Sequence, residues 1–170
     1  MLSYVLTFLE VRNNQFIGHL FDLMAVVFFT VIYYRAFHES LFKKLALIFG
    51  SATLVIIICN TIFIEGLTAY PSISNTVLCL LMIILSLTYF YQLLTRQEFI
   101  HIDKQGLFWI NAGALFYFSV NIFFFMIFNK ISSSAQADFI MIQSVTNIIA
   151  NLLFSAGLLC KPQKTASSRY

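Results

Sequence analysis

Charge is what this sequence has least of. Ten Lys and Arg and seven Asp and Glu make up 10% of 170 residues, against ~25% in ordinary soluble domains. So few charges do not cover the surface of a soluble domain of this length. A soluble enzyme, a nucleic-acid binder and a disordered tail are thereby excluded. Proline is almost as scarce, with only Pro71 and Pro162. Cysteine is limited to Cys59, Cys79 and Cys160, an odd number without metal-ligand spacing, so neither a disulfide framework nor a metal site is implied. Familiar catalytic signatures are missing too. There is no HExxH, no Gly-x-Ser-x-Gly, no phosphate loop and no pair of carboxylates at acid/base spacing. Nothing calls for a cofactor.

What the chain does have is apolar material, 60% of its residues. A helix needs roughly 20 apolar residues to cross a bilayer, which allows about five crossings. Stretches free of Asp, Glu, Lys and Arg run over 23–34, 45–64, 66–95, 105–129 and 139–160. The first is interrupted by Asp22. From Phe16 to Tyr34, Phe, Ile, Leu and Val contribute about −5 kcal/mol of insertion energy, against about +3 kcal/mol for the Asp, so insertion wins. The expected fold is all-α: an up-and-down membrane bundle of five transmembrane helices over about 15–36, 41–64, 73–95, 105–129 and 137–160. A short apolar segment, Leu2–Leu9, precedes it. It is expected to be helical and to pack at the outer end of the bundle. Residues 1–170 read as a single integral membrane domain. Asn13, Asn14, Ser40, Ser72 or Ser74, Asp103 and Ser134 stand where N-caps are wanted. Gly66 follows the second span.

Orientation follows from the basic residues. One side carries only Arg12 and Lys130. The other carries Arg35, Lys43, Lys44, Arg96, Lys104, Lys161, Lys164 and Arg169. Positive charge favours the cytoplasmic side, so the C-terminus is expected in the cytoplasm and the N-terminus outside, in a bacterial inner membrane. Glu65 and Asp138 then face outward, Glu65 solvated at the surface. Tyr33, Tyr34, Tyr89, Tyr91 and Trp109 fall near the cytoplasmic ends and read as an interfacial aromatic belt.

Ionisable groups inside a span mark function by default. His19 and Asp22, three residues apart, share one helix face, with Thr30 and Tyr33 close to it. Asn60, Asn121 and Asn147 fall in the outer half or near the midplane of their spans. His19, Asp22, Asn60, Asn121 and Asn147 are expected to line an outward-facing polar pocket for a small ligand or ions, with His19 donating to Asp22. The plainer alternative is that the polar side chains are consumed by interhelical hydrogen bonds. Ser144, Asn147, Asn151 and Ser155 lie within an 80° arc of the fifth span, as Asn111 and Asn121 do in the fourth, and such amides hold membrane helices together.

Several segments carry a resemblance. They are Phe108-Trp109-Ile110-Asn111-Ala112-Gly113 followed by Tyr117-Phe118-Ser119 and Asn121; Leu87-Thr88-Tyr89-Phe90-Tyr91-Gln92-Leu93-Leu94; Asn147-Ile148-Ile149-Ala150-Asn151-Leu152-Leu153; and Asn13-Asn14 with His19. Together they resemble an uncharacterised group of small bacterial polytopic membrane proteins, often with about seven helices. Against that group this chain looks short at its N-terminus. Some members look like sensing parts that accompany histidine kinases. The resemblance implies a sensory or ligand-binding membrane subunit in the lipid bilayer, with a cytoplasmic histidine kinase or another membrane subunit as partner. Alternatives are a membrane enzyme acting on a lipid or polyprenyl group, and a scaffold without a ligand.

Overall fold

The computed structural model describes residues 15–67, 69–95, 105–127 and 133–160, the last stretch with side chains from 140 onward. They form five α-helices and no strand: α1 (Gln15–Ala36), α2 (Ser40–Asn60), α3 (Ser72–Thr95), α4 (Gly106–Ile127) and α5 (Ser133–Leu159). All five contain a stretch long and apolar enough to span a bilayer. The chain is a multi-pass integral membrane protein. Helices are the expected solution, because hydrocarbon offers no water to backbone N–H and C=O groups. No proline interrupts them.

The exterior is apolar, with Phe21 67% and Phe63 81% exposed. The interior holds much of the polarity: His19, Asp22, Asn60, Ser74, Ser86, Asn111 and Asn121 are all buried. That is the distribution lipid solvation dictates. Helix α3 is the centre of the bundle, packing against α1, α2 and α4, while α5 packs chiefly on α4. The core joins Val26, Ala46, Ile57, Met82 and Leu85 from the first three helices with Phe37 from the α1–α2 connection. On α1 the buried face is His19, Asp22, Val26, Thr30 and Tyr33, spaced three or four residues apart, one side of a helix. The expected sharing of that face is borne out.

The second helix ends differently from its expected straight run to 64. It widens into a π turn over Thr61–Glu65 and stops at Gly66, whose φ of +68° favours glycine. Close approach decides another contact. A Cβ on Gly113 of α4 would lie 2.8 Å from the Phe154 ring and 3.1 Å from the Ala150 carbonyl of α5.

Other boundaries move by up to four residues, the largest change being α5, which starts at Ser133. The cap of α2 is Glu39, without a side-chain bond, so Ser40 is a helical residue and not the cap. The aromatic belt is only partly realised. Tyr34 and Tyr91 are exposed, but Tyr33 and Tyr89 are buried in the core, because Tyr33 has polar partners on α3 and α4. Leu2–Leu9, Asn13, Asn14, Asp103 and the side chains of Ser134 and Asp138 lie outside the described residues, as does most of the basic flank.

Candidate functional site: a buried acceptor cluster under the α2–α3 connection

Helix α1 begins where α2 ends and α3 begins, and the polar residues of those three ends meet there. His19 does not turn to Asp22. Its Nε2 lies 3.3 Å from the Ala69 carbonyl, and its Nδ1 lies 3.2 Å from the Thr61 hydroxyl. A carbonyl only accepts, so in the neutral ring Nε2–H donates to Ala69 and Thr61 donates to Nδ1. The expected His19–Asp22 hydrogen bond is thus corrected: the ring ties α1 to both ends of the α2–α3 connection.

Glu65 is likewise not merely solvated at the surface. It is half-buried, and its two oxygens are used separately. Asn60 Nδ2 donates to Oε2 at 2.5 Å, and the Ile73 backbone N–H donates to Oε1 at 2.7 Å. The second bond puts a carboxylate on the first turn of α3, where free N–H groups and the helix dipole favour an anion. Asn60 Nδ2 also donates to Ser74 Oγ at 3.0 Å. Ser72 Oγ donates to the Phe125 carbonyl and fastens the start of α3 to the end of α4.

Asp22 keeps one oxygen without such a partner. It is 1% exposed, and its Oδ2 has no hydrogen bond. Asn60, 2% exposed, leaves Oδ1 unpaired. Glu65, Tyr70 and Cys79 lie within electrostatic reach of Asp22. Tyr70 sits in the connection outside the spans. Burial, and then the Asp22 charge, push its hydroxyl above the ordinary tyrosine value, so it remains a donor at neutral pH.

Asn121 and Asn147 stand apart from this cluster. Asn121 donates to its own helix, Nδ2 to the Tyr117 carbonyl at 2.8 Å, and leaves Oδ1 unpaired. It lines a cavity of about 340 Å³ between α4 and α5, with Phe124, Ile142 and Gln143. Asn147 is exposed on the outside of α5, as are Ser144, Asn151 and Ser155. Ser144 and Ser155 bond to carbonyls of their own helix. Among the described residues, that stripe therefore holds no helices together. The interhelical network lies elsewhere. Tyr33 OH sits 2.8 Å from Ser86 Oγ and donates to Asn111 Oδ1 at 2.5 Å, and Asn111 Nδ2 donates to the Ser86 carbonyl at 3.1 Å. It borders an apolar groove of about 290 Å³ lined by Phe29, Met82, Ile110 and Phe118.

Among the described residues no three His, Cys, Asp or Glu side chains are grouped to hold a metal ion. Sequence reasoning missed Thr61, Ser74 and the carbonyl of Ala69. Thr61 carried a weak signal, a hydroxyl next to Asn60; Ser74, fourteen residues on, read only as a candidate cap, and a backbone acceptor leaves no trace in a sequence. The chain matches no protein-family model, no curated protein and no solved structure.

Proposed function

We propose that this protein is a sensory or ligand-binding membrane subunit, with its site at the Asp22 cluster beneath the α2–α3 connection. One observation carries the reading. A carboxylate that is 1% exposed, inside an apolar helix, keeps an oxygen without a partner. Burying an unpaired ionisable group is costly, and such groups in spans cluster at pathways and ligand sites. The site has a cover that ligand contact would shift, since His19 and Glu65 tie the 61–73 segment to α1 and α3. Helix ends moved there transmit to the far ends of the same helices, where a cytoplasmic histidine kinase is the proposed reader. The motif resemblance supports the same role, and the basic-residue asymmetry supports a site on the outer face of a bacterial inner membrane.

The test of function uses Asp22→Asn and His19→Gln in the native host, reading autophosphorylation of the associated kinase. A change in output of about tenfold or more at equal protein level is expected, the range of ordinary allosteric coupling. Output equal to wild type in both variants would remove the sensory reading. For orientation, single cysteines labelled from outside should react at 66–69 and stay silent at 38–44. The opposite pattern would place the cluster on the cytoplasmic face.

A further inference from the structure

Among the described residues, the cluster leaves two buried acceptor oxygens unpaired and sets two carboxylates near each other with no Lys or Arg beside them. Asp22 and Glu65 bring two carboxylates within electrostatic reach of each other. Asn60 Nδ2 is spent on Glu65 and Ser74. Both ring nitrogens of His19 are spent on Ala69 and Thr61. Asp22 Oδ2 and Asn60 Oδ1 remain unpaired and buried. The described Lys and Arg residues are Arg35, Lys43 and Lys44, all at the opposite ends of α1 and α2. Arg35 lies thirteen residues beyond Asp22 on the same helix, about 20 Å at 1.5 Å per residue. Besides Glu65, Tyr70 from the connection and Cys79 from α3 lie within electrostatic reach of Asp22, and neither brings positive charge. His19 lies one turn away on the same face of α1, with its two ring nitrogens engaged by Ala69 and Thr61.

We propose that this site binds a single positive charge, an alkali cation or a proton, on Asp22 beside Glu65 and the free carbonyl oxygen of Asn60. The inference rests on the reading of this cluster as the ligand site and names its ligand class. The unpaired Asp22 Oδ2 and Asn60 Oδ1 and the Glu65 carboxylate offer oxygen ligands, which suit a hard cation whose coordination needs neither the His19 ring nor the Cys79 thiol. A proton on Asp22 meets the same deficit by turning one acceptor into a donor. In either form the bound charge relieves the repulsion between Asp22 and Glu65, and so stabilises the fold around the connection.

The experiment measures thermal unfolding of the full chain in lipid nanodiscs. Sodium chloride is exchanged for choline chloride at constant ionic strength, at several pH values from 5 to 8. With the cation at ten times its dissociation constant, the midpoint should rise by roughly 3–6 °C. A rise specific to sodium identifies an alkali ion, and a rise with falling pH in choline alone identifies a proton. Either response should vanish in Asp22→Asn and shrink in Glu65→Gln. A wild-type midpoint indifferent to both, or a response that survives intact in Asp22→Asn, overturns the proposal, and the wild-type result decides even if a variant fails to fold. A response lost in Asp22→Asn alongside unchanged kinase output would leave the cation site standing and remove the sensory role.

Discussion

The Asn60 carboxamide donates to the Glu65 carboxylate at 2.5 Å, across one π-helical turn. The i to i+5 spacing is the period of that turn, so side chain and backbone support each other. Through Glu65 the same contact reaches the first turn of α3. Replacing Asn60 with Leu strands one carboxylate oxygen and the Ser74 hydroxyl. The expected loss is about 1–3 kcal/mol, read by reversible unfolding in mixed micelles. A loss below about 0.5 kcal/mol, the scatter of neutral surface changes, would show that the turn stands without it.

Tyr33 is the hub of a hydrogen-bond network joining α1, α3 and α4 through side chains. Tyr33→Phe keeps the ring in the core and removes the hydroxyl. Interhelical hydrogen bonds in membranes average ~0.6 kcal/mol and reach ~1.7, so a loss of about 1 kcal/mol is expected. A double-mutant cycle with Asn111→Ala should return coupling of that size. Additive losses would mean that the two groups act independently.

Asn147 points out of the bundle. Asn147→Leu should therefore leave unfolding within about 0.5 kcal/mol of wild type. Asn121→Leu puts a branched side chain where a buried amide bonds its own helix, and should cost more. Equal, large losses at both positions would place Asn147 against a partner.

Gly113 sets how closely α4 and α5 approach. A Cβ there meets the Phe154 ring and the Ala150 carbonyl, and the backbone carbonyl has little room to give. Gly113→Val should cost about 1–3 kcal/mol through overpacking. The companion change Phe154→Leu, which trims the ring, should recover part of it. No recovery would mean that backbone contact, and not the ring, sets the spacing.

Much of the fold was legible because the bilayer acts on each segment separately. Span number, approximate length and the inward face of α1 follow from local apolarity and a spacing of three or four residues. The rest needed neighbours. Glu65 reads as a surface charge until α3 presents its first turn to it, and His19 reads as a partner for Asp22 until Ala69 and Thr61 claim both nitrogens. Tyr33 and Tyr34 are adjacent and chemically identical, yet one is core and the other exposed.

The amino-acid sequence by itself determined that the chain is a helical membrane protein and that a carboxylate enters its first span. Transfer of side chains from water to hydrocarbon is a sum over residues, and a sum needs no partner. Tertiary structure alone decided which polar groups meet. It tied Asn60 to Glu65 and set Asp22 within electrostatic reach of that carboxylate, placed Asn121 against a cavity between α4 and α5 and left Asn147 outside. Those outcomes depend on the rotation of each helix about its axis, which is set by close packing between residues far apart in the chain.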